Sequence, residues 1–287
     1  MSVVDLIREE VDAPPLANPV EDGPPSLRSD REDREWQKYE TGAADADAAR
    51  VDGPYREPWL NVLAAFEPGT PPALEALLTG PAAAHVRGQV VDLGCGTGWA
   101  VARLSRVPAV EHVIGVDLSR RFLETVTRRV IGKLSGDAAK IRLIAGSFER
   151  IPVDNGRIDA AFLVAAIHHA LSPRVVLREA VRALRPDGRL FLIEAPSPRL
   201  LLSRTRRKSI AETERSGATE IVYSLDELRY LVEWSGFDIE SIVFAPAPPS
   251  RTVARSLARR IFRLSRIEHL TSLPTRIVVA KPRTRPS

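Results

Sequence analysis

Residues 90–100 read VVDLGCGTGWA. Val90, Val91 and Leu93 suit a buried strand, and three glycines, Gly94, Gly96 and Gly98, follow within five positions. Glycine weakens a helix or a strand, because its backbone has the most conformational freedom to lose. At the end of a strand it does something else: it admits positive φ and leaves no Cβ between the main chain and a ligand. The stretch therefore predicts a strand, a bare turn, and a helix starting near Gly98 whose unpaired N–H groups face the same spot. Asp92 sets an acid just ahead of the bend.

Outward from this turn, apolar β-branched runs alternate with helical stretches. The strand candidates are 89–93, 112–117, 141–144, 158–164 and 189–194, with helices over 98–106, 119–134 and 172–185. Such alternation implies right-handed crossovers and a parallel sheet covered on both faces. SLDELRYLVEWSG (224–236) reads as a further helix, with Ser224 and Glu227 as a capping box and Gly236 as its stop. The runs 237–245 and 275–282 suit an antiparallel pair at the sheet edge. The expected fold is a doubly wound, mostly parallel, Rossmann-like α/β sheet of seven strands with an antiparallel edge hairpin. In such sheets ligands bind outside the carboxyl ends of the strands, where the glycine turn falls.

Composition sets outer limits. The chain has 287 residues, 44% hydrophobic, which suits one large α/β domain with an appendage. No apolar run approaches the roughly 20 residues of a membrane-spanning helix. The start, MSVVDLIREEVDAPP, has no signal-peptide pattern, and the expected location is cytoplasmic. The single cysteine, Cys95, excludes an internal disulfide and a cysteine zinc cluster, and no metal is expected. Residues 1–57 carry 7 Lys/Arg against 15 Asp/Glu and read as an acidic, Pro-rich leader, either loosely ordered or a flap over a pocket mouth. Within it, 31–40 suits a short helix carrying Trp36 and Tyr39. Residues 58–287 read as the main domain, with a basic helical insertion at about 246–273.

The turn also narrows the ligand. A P-loop needs G-x-x-x-x-G-K-[ST], and no lysine is present here. A dinucleotide fingerprint puts a small residue where Trp99 stands, which disfavours an NAD(P)-dependent oxidoreductase. The next strand, VIGVD, ends in Asp117, 19 residues after Gly98. A carboxylate there can accept two hydrogen bonds from a ribose diol, or it can cap the next helix.

Taken in order, VVDLGCGTG, VIGVDLS, IRLIAGSFERIPV, IDAAFLVAAIHHAL, LREAVRALRPDGRLFLIEAP and YSLDELRYLVEWSGFDIES resemble the class I S-adenosylmethionine-dependent methyltransferases, especially the broad small-molecule group. The resemblance covers roughly residues 60–282. It implies that Asp92, Gly94, Cys95, Gly96 and Gly98 surround the methionine part and ribose of S-adenosyl-L-methionine. It further implies that Asp117 holds the ribose hydroxyls, that Leu118 lies against the adenine, and that Ser147 and Phe148 meet the adenine edge. Ala165 and Ala166 then leave space near the methyl donor. Ser147 stands where the family often has an aspartate, and Pro186-Asp187-Gly188 where it usually has Pro-Gly-Gly. Cys95 reads as a small buried filler and not a nucleophile, having no basic neighbour in sequence.

Methyl transfer from a sulfonium needs alignment first, and a base only when the acceptor must lose a proton. His168 and His169, leaving the fourth strand beside the implied methyl position, are the candidate catalytic residues; packing or capping the next helix is the alternative role. The exit AAIHHAL lacks the Asn/Asp-Pro-Pro-Tyr/Phe stretch that the resembled classes use on adenine N6 or glutamine amides. The expected partner is a small-molecule acceptor, anionic or amphiphilic, and no nucleic acid. Arg204, Arg206, Arg207 and Lys208 suit an anionic acceptor or a solvated face. Residues 251–270 alternate apolar and arginine positions as a basic amphipathic helix, suited to an anionic membrane surface or to packing on protein. A nucleoside-binding module of the same fold without turnover is the alternative to an enzyme.

Overall fold

A computed structural model of the chain describes residues 16–23, 70–194, 221, 223–245 and 275–283. The expected helix at 31–40, the stretch 58–69 and both basic segments, 198–209 and 251–270, lie outside the described residues. The strands are β1 (Val20–Asp22), β2 (Gly88–Leu93), β3 (Val110–Asp117), β4 (Ile141–Ala145), β5 (Ile158–Val164), β6 (Leu184–Glu194), β7 (Phe237–Phe244) and β8 (Arg276–Pro282). The α-helices are α1 (Thr70–Thr79), α2 (Trp99–Ser105), α3 (Arg120–Phe122), α4 (Arg128–Lys133), α5 (Pro173–Ala183) and α6 (Leu225–Trp234).

Among the described residues, eight strands form one sheet in the order β1-β4-β3-β2-β5-β6-β8-β7. β1 to β6 pair in parallel, and β8 runs antiparallel to both β6 and β7. Because parallel strands are buried on both faces, successive residues belong to opposite cores. Val90, Phe162 and Phe191 face Leu74 of α1, Leu104 of α2 and Ile131 of α4. Val91, Leu163 and Leu192 face Leu177 of α5 and Leu228 of α6. Burying each such side chain contributes about 1.5–3 kcal/mol. Ser224 and Glu227 form the expected capping box on α6, and Gly236 follows its end at φ 107°.

Two features differ from the sequence reading. The sheet has an eighth strand, β1, drawn from the acidic N-terminal segment. Its three residues, Val-Glu-Asp, carry no apolar run, so periodicity gives no sign of it. Contacts to the neighbouring elements hold it: Arg142 pairs with Glu21 at 2.6 Å, Arg120 donates to the Val20 carbonyl and to Asp22, and Gly23 N–H donates to the Ala145 carbonyl at 2.8 Å. Secondly, the last parallel strand begins at Leu184, and Pro186-Asp187-Gly188 lies inside it. Residues 185–188 stand opposite Asp159 alone, so the expected turn takes the form of a wide bulge. Asp159 closes that bulge by accepting from Arg185 at 2.7 Å and from Gln89 N–H at 2.8 Å.

Candidate active site

The glycine turn joins β2 to α2 at the carboxyl edge of the sheet. Gly94 and Cys95 N–H both donate to the Val116 carbonyl, at 2.9 and 3.0 Å, which ties the turn to β3. Gly94, Gly96 and Gly98 have φ of 73°, 48° and 77°. They serve different ends. A Cβ on Gly94 would lie 2.9 Å from Ala166 Cβ, and one on Gly98 would lie 2.5 Å from Thr127 Cγ2. A Cβ on Gly96 would meet only the Gly94 carbonyl at 4.0 Å, because Gly96 borders a cavity. Two glycines thus permit close packing and one keeps the main chain open. Thr127 lies in a π turn (Leu123–Thr127) between α3 and α4, and its hydroxyl donates to the Gly96 carbonyl at 2.6 Å.

Two acids meet beneath this turn. Asp117, at the tip of β3, lines the cavity and accepts from Gly96 N–H at 2.9 Å and from Ser119 N–H at 3.3 Å. Burial raises its pKa, and those backbone N–H groups oppose the rise. Asp92 is 1% exposed, and neither carboxylate oxygen accepts a hydrogen bond from a described residue. Burial, then repulsion from Asp117, pushes it up to about 7. A buried carboxylate without a partner is costly to ionise, so this position favours a cation or donor arriving from outside the fold. The Cys95 thiol is pushed up by burial, Asp117 and Asp92, which leaves it protonated and inert.

The other walls come from the exits of β4 and β5. Leu118, Ser147 and Phe148 line one side. The Ser147 hydroxyl accepts from Glu149 N–H at 3.1 Å, and Glu149 in turn accepts from Ser172 N–H at 3.0 Å. Ala165, at φ 50°, turns the chain after β5; this left-handed conformation costs a residue with a Cβ about 1–2 kcal/mol. Ala165 and His169 both face the cavity.

The structure therefore brings Gly94, Cys95, Gly96, Asp117, Leu118, Ser147, Phe148, Ala165 and His169 to one cavity. Asp92, Gly98 and His168 do not line it. Asp92 lies buried beneath the turn, Gly98 caps α2 against Thr127, and His168 turns to Glu194, with Nδ1 2.8 Å from Oε1. Sequence reasoning overlooked Thr70, Thr97, Trp99, Phe122, Glu149, Val164 and Leu171 in the lining. Thr97 and Trp99 sit inside the glycine motif and Glu149 two residues after Ser147, so position alone marked them; nothing in sequence marks Thr70. Among the described residues no cluster of His, Cys, Asp or Glu suits a metal ion.

Residues 91–192, from the middle of β2 almost to the end of β6, match the family model of a methyltransferase domain. This segment is a class I methyltransferase domain. It contains the glycine turn, both buried acids and both histidines. A ubiquinone/menaquinone biosynthesis C-methyltransferase of Syntrophotalea carbinolica is 32% identical over 111 residues, which is 39% of this chain and 45% of that protein. The match thus spans less than half of that relative's length. Among solved structures, a putative methyltransferase of Haloferax volcanii, in complex with the Trm112 activator, covers 88% of this chain and 99% of its own, with a TM-score of 0.62 at 20% identity. A geranyl diphosphate C-methyltransferase of Streptomyces coelicolor covers 90% of this chain and 100% of its own, with a TM-score of 0.58 at 17% identity. Both share the fold of the methyltransferase domain.

Proposed function

We propose that this chain is an S-adenosylmethionine-dependent methyltransferase acting on a small molecule. The observation that carries the reading is the bare main chain of Gly96 at the cavity, flanked by Asp117 and backed by the partnerless Asp92. These groups fit the cofactor's parts: an ammonium suits the acid beneath the turn, a ribose diol the acid at the strand tip, and a flat ring the wall of Leu118 and Phe148. Glu149 adds a carboxylate to the wall where Ser147 has only a hydroxyl. When bound, the cofactor supplies an electrophilic methyl group on sulfur.

The chain's own task is then to align and enclose. Trp99, Phe122, Phe148, Val164 and Leu171 give the cavity apolar walls that keep water away from the reacting centre. Ala165 and Ala166 take little room beside it. His169 lines the cavity within one turn of Ala165, which supports a role in meeting the acceptor and taking its proton where one is lost. Two named relatives are C-methyltransferases, of quinone biosynthesis and of geranyl diphosphate, and they support an apolar or amphiphilic acceptor here. A labelled methyl donor incubated with the chain and a metabolite panel tests the reading. Label should move to a small molecule; a chain that binds S-adenosylhomocysteine yet labels nothing across the panel is instead a binding module.

A further inference from the structure

His168 and Glu194 do not line the cavity, yet they form a buried pair next to His169, which does. Glu194 ends β6 at 3% exposure, and His168 sits in the 3-10 turn after β5 at 9%. Their side chains meet at 2.8 Å, His168 Nδ1 to Glu194 Oε1. An ionised carboxylate accepts only, so with Glu194 ionised the contact requires the proton on Nδ1 of His168, and a ring flip would lose the bond. The rings of His168 and His169 lie 4.1 Å apart between centroids, tilted by 54°. His169 is the one that borders the cavity.

Burying a carboxylate at the end of a strand is costly unless it is paired, and such a pair adds little stability over apolar residues of the same volume. The fold nevertheless places a second buried charge near Glu194. Arg276 of β8 is its register partner and is itself 3% exposed. Arg276 donates to the Tyr223 carbonyl at 3.2 Å, just ahead of α6. Burial lowers its pKa, and the charges of Glu194 and then Glu227 oppose the fall. The β5 exit and β8 thus bring a histidine and an arginine to one acid at the end of β6.

We propose that Glu194 is a positioning residue: through its bond to His168 it fixes the ring against which His169 packs, and so holds His169 at the cavity wall to meet the methyl acceptor. This assigns different roles to two adjacent histidines. His169 is the catalytic contact, to a hydroxyl, amine or other polar group on the acceptor, and His168 is the support. The proposal rests on the methyltransferase reading of the cavity, but its core, the dependence of His169 on Glu194, is separable from it.

The test uses the full chain with labelled histidine rings, followed by NMR. The sequence holds five histidines, so single His→Gln variants assign each signal. Wild-type His168 should show a protonated, hydrogen-bonded Nδ1. Glu194→Gln should shift and broaden the His169 ring signal, while the His85 and His112 signals stay in place. S-adenosylhomocysteine affinity, measured by calorimetry, should change less than about twofold, since Glu194 neither borders the cavity nor lies on β2 or β3, the strands that carry the glycine turn and Asp117. An unmoved His169 signal in a folded Glu194→Gln protein overturns the proposal. If Glu194→Gln does not fold, His168→Asn replaces it, read by ring relaxation: His169 must gain mobility, and unchanged relaxation is equally contradictory. Failure of wild type to bind S-adenosylhomocysteine counts against the methyltransferase reading, not against the coupling of the two rings.

Discussion

At the scale of single residues, the site turns on groups whose placement opposes their ordinary chemistry. Asp92 is an acid held up to about 7 by burial and by Asp117. Its pKa is higher folded than unfolded, so the folded state binds the proton more tightly. That contribution to stability is complete below pH about 4 and is lost as pH rises towards 7. A cationic ligand favours the ionised form. S-adenosylhomocysteine, which carries an ammonium, should therefore bind more tightly as pH approaches 7 and should release a proton on binding at pH 6. Calorimetry at pH 6 in two buffers of different ionisation heat measures this. Asp92→Asn should remove the proton release and weaken binding by about 10- to 100-fold, the worth of a charge-assisted hydrogen bond; release that persists in the variant contradicts the assignment. The glycines give a second contrast. Gly98→Ala meets Thr127 and should lower the melting temperature by more than Gly96→Ala, since the added Cβ of Gly96 enters open space. Gly96→Ala should instead weaken ligand binding more. Equal effects on both readouts would contradict the division of labour.

At the scale of elements, the legible and the illegible parts of the sequence separate by distance along the chain. The capping box of α6, the stop at Gly236 and the turn after β2 depend on residues within four positions of each other, so their spacing shows them. The Glu194–His168 pair spans 26 positions and two strands, and nothing in either stretch names the other. The bulge at 185–188 is likewise set by Asp159 on the neighbouring strand. β1 is the extreme case, three residues without an apolar pattern, held by Arg120 and Arg142 from elements about 100 residues away. Exposed ion pairs of this kind are worth about 0–1 kcal/mol each. Glu21→Gln alone should thus cost less than about 1 kcal/mol in denaturant melts. Removing residues 1–23 should uncover the edge of β4, and hydrogen exchange should accelerate at β4 amides while β2 and β5 stay protected. Unchanged exchange at β4 would show that β1 does not cover that edge in solution.

At the scale of the whole molecule, one edge of the sheet gathers the chemistry. The carboxyl ends of β2, β3, β4 and β5 supply the cavity, and the ends of β5 and β6 with the start of β8 supply the support next to His169. The alternation of strands and helices announced that edge, because parallel connections bring every strand's carboxyl end to the same side. It could not announce which side chains meet there, since that depends on strand order, and strand order is set by packing between distant segments. Charge is also divided at this scale, net −8 over residues 1–57 and +8 over 199–287.

The central claim is that the cavity at this edge is built for a sulfonium nucleoside. Calorimetric titration of the full chain with S-adenosylhomocysteine, with NAD as the comparison, tests it most directly. The account predicts saturable one-to-one binding of S-adenosylhomocysteine, no heat with NAD, and loss of at least tenfold in affinity in Asp117→Ala, a change of about 1.4 kcal/mol or more. Binding of NAD in place of S-adenosylhomocysteine, or an Asp117→Ala protein that binds as wild type does, would contradict it.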